Sequence, residues 1–182
     1  MKYLRPIAVN TINQKWGLPN KLYKQFGFSL HNGTDYPHAK DETIYAPCDG
    51  TIVRTGNQPA GGGTFVGFID GDTRYLIDFL HCSKLLVKEG DFVHTGDKIA
   101  IQGNTGLSTG PHTHIQVRPV ASWNGQSGSA LQWIPAIKND ANNSIDPETI
   151  WGREFAQKVN LERQVSMLAK LVSLYKSLRG IK

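Results

Sequence analysis

Residues 64–80 read TFVGFIDGDTRYLIDFL, and this stretch decides the fold class. It contains two runs rich in β-branched and aromatic residues, Thr64–Ile69 and Tyr75–Leu80, on either side of the polar segment Asp70–Thr73. Runs of this length joined by a short glycine-containing turn are typical of a β-hairpin. The stretch therefore predicts two neighbouring antiparallel strands.

The same alternation of short strands and turns continues on both sides of the hairpin. Turn signals that combine Asp and Gly recur at 49–50, 89–91 and 96–97, so the strands between them are short. This spacing predicts a mainly β fold, a compact antiparallel sheet or sandwich. Four further strands are predicted, at Thr43–Ala46, Thr51–Thr55, Lys98–Ile101 and Thr113–Val117.

Length and charge limit the classes of protein to which this chain can belong. Its 182 residues suffice for one domain and a modest appendage. The net charge of +5 lies in residues 152–182, which hold seven bases and two acids, whereas residues 1–151 hold 13 of each. A basic surface spread over the whole chain is thereby excluded, and we expect no nucleic-acid partner.

Composition also argues against disulfide scaffolds and membrane segments. The two cysteines, Cys48 and Cys82, are too few for a disulfide framework or a four-cysteine zinc site, and we expect buried thiols. The N-terminus lacks the apolar run of about 7–15 residues that marks a secretory signal. No run of about 18 apolar residues occurs either. We therefore expect neither a signal peptide nor a transmembrane segment.

The C-terminal segment changes to a helical pattern. No Gly or Pro interrupts residues 153–179, and apolar residues recur there at spacings of four and three. We predict a basic amphipathic α-helix within residues 152–182. Its apolar face could pack on the main domain, self-associate as a short coiled coil, or lie on an anionic wall or membrane surface. The spaced residues are Leu161, Val165, Leu168, Val172 and Tyr175.

Two groups of residues have the spacing of metal ligands. His31 and Asp35 lie in HNGTD, which we interpret as a tight loop that folds both side chains to one point. His112 and His114 are two residues apart in a predicted strand, so their imidazoles share a face and stand roughly 7 Å apart. One of this pair could hold a metal while the other faces a bound water. Each motif alone is also compatible with ordinary exposed polar residues.

Together the two motifs predict a catalytic zinc site. His31, Asp35 and one of the paired histidines supply nitrogen and oxygen ligands, and catalytic zinc takes three such ligands and leaves a fourth position for water. Bound zinc lowers the pKa of water from about 15.7 to about 7. His81 is a third element, because it ends an otherwise apolar strand where a polar side chain needs a partner.

Several stretches resemble the lysostaphin-type peptidoglycan metallopeptidases. The resemblance covers about residues 12–151, and GNTGLSTGPHTHIQV at 103–117 is its longest and most specific stretch. It implies a compact antiparallel β domain over residues 1–151 with the site in a groove between loops. The implied activity is endopeptidase cleavage of peptidoglycan stem or cross-bridge peptides, including oligoglycine bridges. The other matches are HNGTD at 31–35, APCDG at 46–50, FLH at 79–81 and EGDFVHTGD at 89–97.

The resemblance also implies a role for each candidate residue. His31, Asp35 and His114 would bind one Zn²⁺ per chain. His112 would act as the general base, and His81 would donate a hydrogen bond to the developing oxyanion, although these two roles could be exchanged. The sequence does not indicate which residues bind the substrate.

Departures from the family pattern leave substrate preference open. Gln116 replaces a common glutamate, and Thr113 stands where an apolar residue is usual. Some family members lack ligands and only activate other hydrolases, so a catalytically silent binding or activator module is the alternative function. The stretch EGDFVHTGDKIA also suggests a carrier domain of the biotinyl or lipoyl type. That alternative is disfavoured, because this chain has no lysine in a tight exposed hairpin turn. Without a secretion signal, we expect delivery to the cell wall by lysis or on a phage particle; cytoplasmic residence until release and a non-standard export route are equally open.

Overall fold

A computed structural model of the protein describes residues 3–127 and 133–179, and its fold is mainly β. Within these residues one α-helix, α1, spans Ala156–Arg179, and two short 3-10 helices span Lys21–Phe26 and Pro147–Thr149. The strands are β1 Tyr3–Arg5, β2 Thr34–Pro37, β3 Thr43–Tyr45, β4 Gly50–Gln58, β5 Gly63–Asp70, β6 Tyr75–Cys82, β7 Lys84–Leu85, β8 Phe92–Val93, β9 Lys98–Ile101, β10 His112–Trp123, β11 Trp133–Pro135 and β12 Trp151–Phe155.

A seven-stranded antiparallel sheet forms the centre of the fold. Its strand order is β11-β10-β6-β5-β4-β8, and β2 pairs with the first residues of β10. Strands β3, β9 and β7 form a smaller antiparallel sheet, and β1 pairs with β12 in parallel. The main core packs residues of the large sheet against residues of the small one, including Phe68, Phe79 and Ile115 with Ile44 and Ile99. The prediction of a mainly β, antiparallel fold is confirmed.

The hairpin predicted from residues 64–80 is formed by β5 and β6. Its turn is closed by Asp70, whose Oδ1 accepts hydrogen bonds from the backbone N–H groups of Arg74 and Tyr75 at 2.7 and 2.6 Å. Thr73 adopts a positive φ of 53° in this turn. An aspartate that bonds the backbone of its own turn in this way competes with strand continuation, which explains the sharp reversal.

All six predicted strands are present, and the largest differences lie at β10 and β2. Strand β10 runs on to Trp123, beyond the predicted end at Val117. Asp35 lies in strand β2 rather than in a loop, because residues 34–37 pair with β10. Four consecutive registered pairs satisfy this backbone better than an isolated turn would.

Alternation along β10 separates the core from a groove on the other face of the sheet. Ile115 and Val117 point into the core. The even-numbered residues point to the opposite face, since successive strand residues alternate. On that face a groove opens between the sheet and the loops around Phe26 and Leu107. The groove-facing residues of β10 include His114, Gln116 and Arg118.

Helix α1 contacts the domain mainly through its first two turns. Ala156 is buried, and the backbone of Gly96 lies so close to Ala156 and Asn160 that an added Cβ would be 2.9–3.0 Å from their backbone atoms. Arg163 donates a hydrogen bond to Asp97 at 2.6 Å. The predicted helix is present but begins at Ala156, because the preceding residues form β12.

The apolar residues of α1 from Leu161 onwards are exposed. The first of the three alternatives, in which this apolar face packs on the main domain, is therefore wrong. Self-association and binding to an anionic surface through residues 153–179 stay predictions. Within the described ranges 3–127 and 133–179, no helix combines the length and apolar character needed to cross a membrane. The exposed apolar residues are Leu161, Val165, Met167, Leu168, Leu171, Val172, Leu174, Tyr175 and Leu178.

A polar cluster around Glu148 ties the N-terminus to the strand that carries Asp35. Arg5 donates to both carboxylate oxygens of Glu148, at 2.9 and 2.6 Å, and Tyr36 donates to Oε1 at 2.6 Å. Burial favours the neutral acid, but the hydrogen bonds from Arg5 and Tyr36 outweigh it and hold the pKa of Glu148 below its ordinary value of 4.5. The folded state therefore favours the ionised carboxylate.

Glu148→Gln is expected to lower the free energy of unfolding at neutral pH by roughly 1.5–3 kcal/mol, the range for hydrogen bonds to charged groups. The pKa of Glu148 is depressed in the fold, so its stabilisation is present above about pH 4.5 and is lost as pH falls through the folded-state pKa. Urea unfolding of both proteins at several pH values should show their difference shrinking in acid. A difference that stays constant down to pH 3 would contradict this account.

Candidate metal centre

Three of the predicted site residues meet at the junction of β2 and β10. His31 Nε2, Asp35 Oδ1 and His114 Nδ1 form a triangle with edges of 2.9 Å (His114 to Asp35), 3.1 Å (His31 to His114) and 3.3 Å (His31 to Asp35). Strand pairing places Asp35 directly opposite His114, which explains how residues 79 positions apart come into contact. His31 precedes β2 and completes the cluster.

Gly33 allows the close approach of the two strands that carry these ligands. A Cβ at this position would lie 2.4 Å from His114 Nε2 and 2.4 Å from the carbonyl oxygen of Ile115. Atoms do not approach so closely without displacement, so any side chain here would push the imidazole of His114 away. The glycine in HNGTD is thus a packing requirement of the site.

Contacts of His31 with residues outside the triangle determine which of its ring nitrogens faces the cluster. Its Nδ1 is 2.8 Å from the backbone carbonyl oxygen of Lys15. Because a carbonyl oxygen only accepts hydrogen bonds, Nδ1 carries the proton and Nε2 presents a lone pair to Asp35 and His114. Tyr23 stacks on the same ring, with centroids 5.5 Å apart and planes 2° from parallel. The orientation of His31 is therefore set before any ligand arrives.

The electrostatics of the triangle favour an ionised Asp35 carboxylate and a neutral His114 imidazole. Burial raises the pKa of Asp35, but hydrogen bonds and charge from His114 and His31 outweigh it and hold that pKa well below its usual range. Burial lowers the pKa of His114, against the opposing effect of Asp35. One carboxylate oxygen and two imidazole nitrogens thus converge in a mostly buried place.

The residues present fit a zinc ion. Ligands about 2.0–2.2 Å from a tetrahedral zinc lie roughly 3.3–3.6 Å apart, close to the edges of this triangle. Two imidazoles and one carboxylate also match the nitrogen and oxygen ligands of catalytic zinc sites. Among the described residues, the three form the group of His, Cys, Asp or Glu side chains whose donor atoms lie close enough to share an ion. Their role as ligands stays a prediction.

The two other predicted histidines lie beside the triangle. His112 Nε2 is 3.8 Å from Asp35 Oδ1, and the rings of His81 and His112 are 4.7 Å apart. The Nδ1 atom of His81 is 2.8 Å from the carbonyl oxygen of Thr105, and that of His112 is 2.8 Å from the carbonyl oxygen of Gly110. Each Nδ1 therefore carries a proton, and each Nε2 is left with a lone pair.

The ring of His81 is neutral at physiological pH. Burial, with smaller contributions from the neighbouring His114 and His112, lowers its pKa to about 4 against the raising effect of the Thr105 carbonyl. A neutral ring with its proton on Nδ1 accepts hydrogen bonds at Nε2 and donates there only after it has gained a proton. The predicted role of His81 as an oxyanion donor therefore requires prior protonation.

The backbone of His81 is strained. Its φ of 63° lies in the left-handed region, which costs a residue with a side chain roughly 1–2 kcal/mol. The conformation is held by a hydrogen bond from His81 N–H to the Gly62 carbonyl at 2.8 Å and by the Thr105 contact of the ring. Strain of this kind concentrates at functional positions, and here it turns the side chain toward the groove.

The remaining histidines and the cysteines lie elsewhere. His38 is 3.8 Å from Glu42 and His94 is 3.4 Å from Asp49, and both histidines are exposed. Cys48 and Cys82 are free, buried thiols, as predicted. None of these four takes part in the cluster.

Several residues that shape the site were not assigned a role from the sequence. They act through backbone carbonyl groups or ring stacking, which no side-chain pattern reveals. Two of them, Thr105 and Gly110, lie in GNTGLSTGPHTHIQV at 103–117, the longest stretch of the resemblance. The full set is Lys15, Tyr23, Thr105 and Gly110.

The chain is similar to proteins named as a peptidoglycan endopeptidase and as a murein hydrolase activator. The chain is 43% identical over 94 residues to the peptidoglycan DD-endopeptidase ShyA of Vibrio cholerae. The matched region covers 50% of this chain and 21% of ShyA. It is 32% identical over 123 residues to the murein hydrolase activator NlpD of Salmonella typhimurium, covering 66% of this chain and 31% of NlpD. The chain thus spans between about a fifth and a third of these relatives.

A solved structure shows the same fold. The catalytic domain of lysostaphin from Staphylococcus simulans matches with a TM-score of 0.57 and 28% identity, covering 76% of this chain and 90% of that domain. The sequence profile described as peptidase family M23 matches residues 29–129, a range that contains all five candidate residues and more than half of the chain. The chain therefore belongs to peptidase family M23.

Proposed function

We propose that this protein is a zinc-dependent endopeptidase that hydrolyses peptide bonds in the stem or cross-bridge peptides of peptidoglycan. The observation that carries the proposal is the triangle of His31, Asp35 and His114 at one end of a groove, with His81 and His112 beside it. The match to peptidase family M23 and the likeness to peptidoglycan hydrolases support it.

His31, Asp35 and His114 would hold the zinc. Bound there, zinc would act as a Lewis acid on the scissile carbonyl and lower the pKa of water. His112 is next to Asp35 and presents the Nε2 lone pair, so it accepts the proton released by the attacking water. The proton that His112 takes from the water is the one that the leaving amine receives. His81 would donate a hydrogen bond from Nε2 to the developing oxyanion, for which that nitrogen must carry a proton.

The catalytic unit is proposed to comprise residues 1–151, with its core in 12–151, and residues 152–182 to form a separate basic segment. Strand β12 crosses this boundary, and Trp151 belongs to the main core. The substrate lies in the cell wall. Delivery by lysis or on a phage particle remains a hypothesis, and a secreted form exported from living cells would contradict it.

A silent activator module is the second candidate, because NlpD, a murein hydrolase activator, is among the relatives. The filled set of five candidate residues favours the enzyme. The two functions differ in whether the protein alone breaks peptide bonds.

The test is digestion of purified peptidoglycan by the zinc-loaded full chain, with mass spectrometry of the released fragments. We expect new amino groups and fragments that have gained one water, loss of both with a chelator, and recovery with added zinc. Fragments from walls with different cross-bridges would identify the bond. If the protein releases nothing alone but increases release by an added amidase, it is an activator.

A further inference from the structure

A row of polar residues crosses the groove floor next to the candidate metal centre. Registered pairs align Gln116 of β10 with Asp78 of β6, Asp78 with Gly67 of β5, and Gly67 with Arg54 of β4. Gln116 follows His114 by two residues on the same face, so the row lies roughly 7 Å along the strand from the metal ligand. No residue of this row belongs to the triangle of His31, Asp35 and His114.

Together with Arg118, which follows Gln116 by two residues on the same face of β10, the row carries a net positive charge. Asp78 is fully buried and accepts two hydrogen bonds from Arg54, at 2.9 and 2.6 Å, and a further one from Arg118 Nη2. Burial raises the pKa of Asp78, but the two arginines outweigh it and keep the carboxylate ionised. Two guanidinium groups against one carboxylate leave one positive charge in a pocket where charge is weakly screened.

Gly67 lets the arginine reach across the sheet. A Cβ at Gly67 would lie 2.5 Å from Arg54 Cγ and 2.7 Å from Asp78 Oδ1, so the side chain of Arg54 passes directly over the glycine. Its guanidinium carbon also lies 5.7 Å from the centre of the Phe65 ring. Arg54 is thus held in place while 28% of its side chain stays exposed to the groove.

Gln116 supplies a hydrogen-bond donor that needs an acceptor. The residue is 4% exposed and lines the groove. Within the part of the chain that the structure describes, its Nε2 has no hydrogen-bond partner. A buried N–H left without an acceptor is unfavourable, and such groups in native proteins call for an explanation such as a ligand. A negatively charged acceptor would accept a hydrogen bond from the Gln116 amide and would also balance the positive charge of the row.

We propose that Gln116, Arg54 and Arg118 form a subsite for a carboxylate of the substrate. The preferred substrate is then a peptide with a carboxylate close to the scissile bond, not an uncharged oligoglycine bridge. This inference rests on the proposed function and narrows its substrate class. The carboxylate could belong to a side chain or to the C-terminus of a stem peptide, since both offer the same two oxygens to a guanidinium.

The experiment compares cross-linked wall fragments that differ at one group. The zinc-loaded full chain is given fragments with free carboxylates, fragments amidated at the side chain, fragments amidated at the C-terminus, and fragments with an oligoglycine bridge. We expect kcat/KM to be about 10-fold or more higher with the free carboxylate, as charge-assisted hydrogen bonds allow. The amidation that removes this preference identifies the source of the carboxylate.

The outcomes separate this inference from the proposed function. Equal rates on all fragments, or a preference for oligoglycine or for the amidated forms, would overturn the subsite while leaving the peptidase intact. Cleavage of no fragment and no intact wall would overturn the peptidase itself.

A charge-changing variant tests the residues directly. Gln116→Glu cancels the net positive charge and replaces the amide donor with an acceptor, so the ratio of kcat/KM for free over amidated fragments should fall to about 1 or below. Gln164→Glu makes the same change on the exposed face of α1 and should leave the ratio unchanged. Zinc content and thermal unfolding verify that both variants fold. A folded Gln116→Glu protein with the original ratio would overturn the subsite.

Discussion

Replacing Asp35 by asparagine is expected to lower zinc affinity and wall hydrolysis by about 100-fold or more. The carboxylate oxygen of Asp35 touches both imidazoles of the triangle and supplies its negative charge, which a neutral amide cannot replace. Changes to groups that merely orient metal ligands typically cost about 10–100-fold in affinity, so a ligand should cost at least the upper end of that range. Zinc content after dialysis against a competing chelator and the rate of fragment release measure the two effects.

Thermal unfolding gives a second readout that does not depend on catalysis. Zinc that binds the folded state at a free concentration of 100 times its Kd stabilises it by about 2.7 kcal/mol. The unaltered protein should therefore show a raised Tm with zinc, and Asp35→Asn should show little change. Asp72→Asn is the matched control, because Asp72 is exposed and forms an ion pair with Arg74 in the β5–β6 turn, away from the triangle. Stoichiometric zinc and full activity in Asp35→Asn would refute the proposed ligand set.

Replacing His112 by alanine is expected to reduce kcat by about 10²–10⁴-fold, the contribution typical of a general base. His112 presents an Nε2 lone pair 3.8 Å from Asp35 Oδ1, and its Nδ1 is held by the Gly110 carbonyl. It does not complete the triangle, so zinc content and the zinc-dependent rise in Tm should persist. Loss of rate with retained metal distinguishes a proton acceptor from a ligand.

Two further variants make this result specific. His38→Ala removes an exposed histidine outside the site and should keep the original rate. His81→Asn keeps a residue type that tolerates the left-handed conformation at position 81 while removing the second imidazole, so it should fold and lose activity. If His112→Ala keeps its rate and His81→Asn loses it, the roles of the two histidines are exchanged.

The β framework was largely predictable because it depends on local patterns. Alternating apolar residues and Asp-Gly turns define strands over a few residues, and the β5–β6 hairpin follows from 17 consecutive letters of sequence. The start of α1 was misplaced by three residues, since the pairing of β12 with β1 joins the two ends of the chain and leaves no local signal. Likewise, Asp35 was assigned to a loop because its strand partner is 79 residues away.

The sequence by itself determined the chemical inventory: a mainly β chain, five candidate residues of the right types, and the motifs of a peptidase family. Only the tertiary structure decided how these groups face one another. It brought Asp35 opposite His114, gave the ring nitrogens their tautomers through the carbonyls of Lys15, Thr105 and Gly110, and aligned Gln116 with Asp78. The physical reason is that residue type and periodicity are local, whereas cross-strand register and backbone hydrogen bonds arise from pairing between distant segments.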